Sequence, residues 1–181
     1  YVLTANAPET KDNNFTWKDY QDRNNNELLA IFGNFVNRTL VLTHKYFEGK
    51  VPAMINLNEK DEAAIEEMNQ YPDKIANLLD TYKFREALSE LMNLARLGNR
   101  YLTENEPWKQ FKTDPERVKT VLALSMQIVA KLAILSEPFL PFSAKKLQAM
   151  IGLEVSGWNQ AKETVLLNEN ATIGEVELLF T

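Results

Sequence analysis

The stretch "VKTVLALSMQIVAKLAILSE", residues 118–137, constrains the fold more than any other part of the chain. Read as a helix it is apolar nearly all round, which leaves no face for water. Such a helix must sit centrally, covered on every side by other elements. Asp114 followed by Pro115 marks its start, a capping acceptor before a residue pre-set for the first helical turn. Pro138 and Pro141 mark its end. With 181 residues and 45% hydrophobic content, the chain can bury a sizeable core. No run approaches the ~18 apolar residues of a membrane span, and a membrane partner is not expected.

The remaining pattern supplies the covering helices. From about Asp22, Leu28, Phe32, Phe35, Leu42 and Tyr46 recur at helical spacing, widened by Leu29, Val36 and Leu40. Gly49 and Pro52 close this first helix. Asn58 is the expected N-cap of a second, whose acidic first turn, "NEKDE", suits the helix dipole. Pro72 should kink or interrupt it. A third helix runs from about Lys83 to Asn105, with Phe84, Leu88, Leu91 and Leu94 or Ala95 on one face. "FSAKKLQAMIG" predicts a short last helix with Gly152 just beyond it. Residues 1–20 read as irregular or extended. The final stretch, "TVLLNENATIGEVELLF", turns to β-branched residues and turn signals, which predicts one or two short strands. The expected fold is therefore mainly α. A bundle of about five helices, residues 22–152, lies between an irregular segment, 1–21, and a tail, 153–181, with short strands.

Catalytic groups are scarce. The one histidine, His44, falls on the first helix beside Lys45 and reads as a boundary residue. No serine has a nucleophile motif around it, no glycine-rich phosphate loop is present, and the carboxylates are scattered. No catalytic residue and no metal ligand is assigned. Zero cysteines exclude disulfides and cysteine-held zinc or iron–sulfur sites, and fit a reducing compartment.

Binding chemistry is better represented. The net charge is −5, yet residues 83–119 hold eight Lys/Arg against six Asp/Glu, a mildly basic island in an acidic chain. That balance suits a local contact with a few phosphates, or a merely solvated helix surface. Within it, "NRYLTENEPWKQFK" puts Trp108 directly after a helix breaker. The residue before a proline is pushed towards extended geometry, so Glu106 should turn the chain and aim the indole outward. Arg96, Arg100, Lys109 and Lys112 are the candidate phosphate contacts. On the first helix, "GNFVNR" places Asn34 and Arg38 four apart on one face, with Asn26 a further amide upstream. Single-stranded RNA loops are caught by aromatic stacking and by hydrogen bonds to base edges, and these residue types could do both. Two readings stay open for each: Trp108 as a core plug, and Asn34 and Arg38 as partners for neighbouring backbone and carboxylate.

"NNELLAIFGNFVNRT", "RLGNRYLTENEPWK" and the closing "IGEVELLF", taken in order, resemble the C-terminal anticodon-binding domain of methionyl-tRNA synthetases. The opening "YVLTANAPETKDNNFTWKDYQDRNNNEL" is similar to the segment joining that family's catalytic domain to its helical bundle. The resemblance implies a cytoplasmic class I ligase joining methionine to its tRNA with ATP and Mg. It implies that this piece grips the CAU anticodon stem-loop of tRNA(Met) and rests against the parent's own catalytic domain. Trp108 matches the family's stacking tryptophan. The other anticodon contacts belong near Glu27 to Asn34, where many relatives read A-N-L-G-N and this chain reads "AIFGN", with Ile31 in place of a polar group. Asn34, Arg38 and Asn26 are the groups left for that role. The catalytic half, with its two-histidine and lysine-rich signatures, has no counterpart here, so no cofactor is expected in this piece and it should not charge tRNA. The bundle of another class I synthetase, or a helical protein-interaction module without RNA, are the alternatives.

Overall fold

The computed structural model describes residues 1–9 and 12–180. Thr10 and Lys11, inside the segment expected to be irregular, and Thr181, at the end of the tail, lie outside the described residues. The opening segment is more helical than expected, with α1 at Val2–Ala5 and α2 at Trp17–Arg23. Thr16 caps α2, its hydroxyl accepting from the Asp19 N–H at 3.1 Å, and Arg23 pairs back to Asp19 one turn away. These local bonds start the helix five residues before the apolar stripe becomes readable. A π-helical segment, Asn24–Gly33, follows without a break and passes into α3, Asn34–Phe47. Glu48 and Gly49 end α3 in left-handed geometry.

Helix α4, Glu59–Asp80, begins with a capping box between Asn58 and Asp61. Pro72 does not interrupt it: the helix continues through the proline to Asp80. Ala64, Met68, Tyr71 and Ile75 are buried on both sides of the proline. That burial outweighs the ~3 kcal/mol a mid-helix proline costs. Helix α5 is Phe84–Asn105 and α6 the single turn Pro107–Gln110. Helix α7, Pro115–Leu135, starts as its sequence requires, with Asp114 accepting from the Arg117 N–H at 3.0 Å. Helix α8, Pro141–Ile151, closes on Gly152 in left-handed geometry.

Helix α7 is the axis of the molecule, touching α3, α4, α5, α6 and α8. Contrary to the expectation from uninterrupted apolar runs, it is long and apolar enough by length and composition to cross a membrane; 94% of that stretch is buried inside the bundle. Gly98 sets the closest approach among its neighbours: a Cβ there would lie 2.3–2.5 Å from the Phe35 ring, so α5 and α3 meet only because Gly98 has none.

Among the described residues the strands expected in the tail do not form. Between Lys50 and Thr172 there is one isolated antiparallel bridge. Pro52, just past this bridge, has no N–H to extend the pairing. Side chains of α7 take the tail's backbone groups instead. Gln127 accepts from the Leu166 and Leu167 N–H groups and donates to the Leu167 carbonyl, while Lys131 donates to the carbonyls of Ala161 and Glu163 at 2.6 and 2.7 Å. Tail residues 158–162 form a 3₁₀ turn whose Trp158 indole donates to the Pro72 carbonyl.

Two outcomes follow. Gly98→Ala should lower unfolding free energy by about 1–3 kcal/mol in a denaturant titration, because an added methyl has nowhere to go. Burial pushes the Lys131 amine down from 10.5 to about 8. Between those values the unfolded chain holds a proton that the folded one has released, so stability climbs with pH, by up to about 1.4 kcal/mol per unit. Unfolding curves from pH 7.5 to 10 should lose that climb in Lys131→Met.

Candidate nucleic-acid interface

Trp108 emerges where α5 stops. Its predecessor Glu106 is not extended, as the following proline suggested, but left-handed at φ 38 and ψ 55. Helix ends commonly close this way, usually with glycine; a residue with a Cβ is disfavoured there by about 1–2 kcal/mol. The Glu106 N–H bonds back to Leu102, and its carbonyl accepts the Lys109 and Gln110 N–H groups that open α6. Pro107 is buried at the first position of that turn, and Trp108 faces outward, 38% exposed. The indole is thus neither a core plug nor fully free. The Arg38 guanidinium lies over its ring, 4.9 Å from the centroid. Arg38 has no carboxylate partner among the described residues, and its cation sits on the electron-rich ring face.

One turn before Arg38, Asn34 is exposed and its amide approaches the Asn99 side chain at 3.4 Å. Asn99 in turn donates to the Ile31 carbonyl at 2.8 Å. This bond ties α5 to the backbone of the π segment beside Asn34. The motifs do not single out Asn99, which directly follows Gly98, the glycine on which the Phe35 ring of α3 packs. The π segment matters here: its wide turns give the Asn34 N–H a partner at the Leu29 carbonyl and rotate every later side chain of α3 relative to a regular helix. Such segments recur at functional sites.

The other expected residues divide. Lys109 flanks Trp108 and pairs with Glu106 at 2.6 Å, and Lys112 is exposed with no ion pair among the described residues. Arg100 is turned to α4, where Glu67 holds it at 2.6 Å. Arg96 lines a separate cleft of about 380 Å³ with Tyr1, Arg23 and Glu27. Asn26 is exposed on the π segment, eight residues before Asn34. The structure brings Arg38 to Trp108 and Asn34 to Asn99; it does not gather Asn26, Arg96 and Arg100 around them. His44 is a boundary residue, as expected, with Nε2 2.8 Å from the Gly174 carbonyl oxygen of the tail.

Beneath Trp108 lies a polar cluster that the sequence did not announce. Asp61, expected as a solvated first-turn acid, is fully buried. It accepts from Arg117, from the Tyr101 hydroxyl and from the Asn58 N–H. Burial alone would raise its carboxyl, but these donors and the Arg117 charge outweigh it and hold the group below its ordinary value. Burial and the hydrogen bond to Asp61 raise the Tyr101 hydroxyl in turn.

The chain as a whole is similar to known proteins. A family model described as the anticodon binding domain of methionyl tRNA ligase matches residues 51–180. The chain belongs to this family. A second model, for tRNA synthetases class I (M), matches residues 1–40. Methionine--tRNA ligases of Phocaeicola vulgatus and Porphyromonas gingivalis (strain ATCC 33277) are 57% and 59% identical over 180 and 181 residues, 99% of this chain. They are longer proteins: the chain spans about a quarter of each, 26% and 27%. The fold matches the apo methionyl-tRNA synthetase of Mycobacterium tuberculosis with TM-score 0.90, at 22% identity, over 100% of this chain and 37% of that one. For the methionyl-adenylate complex of the same synthetase the TM-score is 0.92, over 99% of this chain and 36% of that one.

Because the depressed Asp61 carboxyl binds its proton less readily folded than unfolded, its stabilisation is complete above the ordinary 3.8 and disappears as pH falls through the folded value. Asp61→Asn should flatten that acid limb in unfolding curves. At neutral pH it should also cost about 3–5 kcal/mol, since Arg117 is left buried without its counter-charge.

Proposed function

We propose that this chain is the anticodon-recognition domain of a methionine--tRNA ligase. It holds the CAU anticodon loop of tRNA(Met) while the rest of the longer protein attaches methionine using ATP and Mg. The observation that carries the reading is the Arg38–Trp108 pair, a partly exposed indole with a guanidinium 4.9 Å from its ring centroid and no competing carboxylate among the described residues. Unpaired loop bases stack on aromatic rings and on guanidinium planes, and their edges are read by short polar side chains. Trp108 and Arg38 supply the flat cationic platform, and Asn34 the amide for an edge. Lys109 and Lys112 stand beside them for the phosphates. Asn26 and Arg96 fall to flanking nucleotides, and Arg100 would first have to leave Glu67.

In this reading no step of ATP chemistry belongs to the present residues. The site of action is the cytoplasm, where the tRNA is charged.

A fluorescent CAU hairpin should bind the chain more tightly than hairpins with other loops, with affinity falling as salt rises because phosphate contacts release counterions. Trp108→Ala should weaken it by about 1–3 kcal/mol, the worth of one stacked base. A folded Trp108→Ala chain that binds the CAU hairpin as well as the parent would refute the stacking role.

A further inference from the structure

Trp108 stands on a helix of four residues, too short to hold its own axis. Its direction is set by what grips either end. On the far side, Phe111 stacks on Tyr46 of α3, with ring centroids 4.0 Å apart and planes 14° from parallel. On the near side the grip is polar. Asn105, the last residue of α5, is 5% exposed. Its amide nitrogen donates to the Tyr101 carbonyl at 2.8 Å, and its amide oxygen accepts from Arg117 at 2.7 Å. Arg117, in the first turn of α7, divides its fork between Asn105 and the buried Asp61 of α4. Tyr101 closes the circuit through its hydroxyl to Asp61. Three helix ends are thus tied at one point, one residue before the left-handed Glu106 and three before the indole.

We infer that Asn105 is a positioning residue for the Trp108 platform: clamped to Arg117 and Asp61, it fixes the end of α5 and hence the direction in which α6 presents the indole to a base. An apolar contact could hold α5 against α7 equally close, but it would not set an angle. A planar guanidinium shared between a carboxylate and an amide does, because its donors leave in fixed directions. The clamp also bears directly on Glu106, whose left-handed backbone persists only where its neighbours over-determine it. The inference rests on the base-stacking role assigned to Trp108 above.

The test uses Asn105→Ala, which leaves the Asp61–Arg117 pair in place so that no buried charge is orphaned. A second variant, Arg117→Lys, keeps a cation beside Asp61 but loses the fork to Asn105. The first readout is ¹⁹F NMR of the 5-fluorotryptophan-labelled chain, with the Trp108 line assigned by its loss in Trp108→Phe. Both variants should shift or broaden the Trp108 line and leave those of Trp17 and Trp158 in place. The second readout is affinity for the CAU hairpin, measured with Trp108 present and with Trp108→Ala. Each variant should weaken binding about fivefold when Trp108 is present and add nothing once it is gone, the signature of action through that residue. An unmoved Trp108 line overturns the inference. So does an equal loss of affinity in both backgrounds, which is what general destabilisation produces. Failure of the stacking reading looks different: Trp108→Ala alone then binds normally, and the NMR line still decides whether Asn105 sets the indole.

Discussion

A helix with no face for water can exist only if other elements cover it completely, and α7 places that demand on the whole chain. Helices α3, α4, α5, α6 and α8 all pack on it, and its length comes from a run of residues that are buried one after another. The few polar groups it carries are not exceptions to the burial. Gln127 and Lys131 are buried too, and each hydrogen-bonds to the backbone of the tail. A segment that would otherwise need a partner strand is thereby fastened to the core by side chains.

The two ends of this central helix serve different purposes. Towards its C-terminal half, polar groups fasten the tail. At its N-terminus, Arg117 gathers Asp61, Asn105 and Tyr101 into a buried cluster directly below the turn that carries Trp108. Buried ion pairs of this kind contribute less to stability than an apolar core of equal volume could, but breaking one is costly and their geometry is directional. A surface made from a four-residue turn requires that direction more than it requires extra stability. The close packing of α3 on α5 at Gly98 then brings Arg38 to the indole and Asn34 to Asn99, so the polar face of the first helix meets the aromatic turn.

Much of this could be read in the chain before any coordinates. The apolar run 118–137, the Asp114–Pro115 start, the Asn58 cap and the Gly152 stop each act within a few residues, and each is found where local chemistry puts it. The motifs "GNFVNR" and "EPWK" contain Arg38 and Trp108, which the fold brings into contact. Errors arose where a distant partner overrode local preference. Pro72 lies inside an unbroken helix because its neighbours are buried against α5. Among the described residues the β-branched tail forms no strand: α7 side chains take backbone groups at its start, and Gly49, Val51 and Met150 take those of residues 170–174. Glu106 is left-handed because it must close one helix and open another within two residues.

The sequence by itself determined that α7 would be central, roughly where most of the helices begin and end, and that a tryptophan would follow a break between two of them. Hydrophobic periodicity and capping are short-range signals, carried by residues within a turn or two of each other. It took the packed helices to place Arg38 over that tryptophan, to bond Asn99 to the Ile31 carbonyl, and to make Asp61 the buried counter-charge of a residue 56 positions away. Those pairings depend on how helices cross and on the rotation introduced by the π segment. Neither leaves a mark in local spacing, because both are set by contacts between residues that are far apart along the chain.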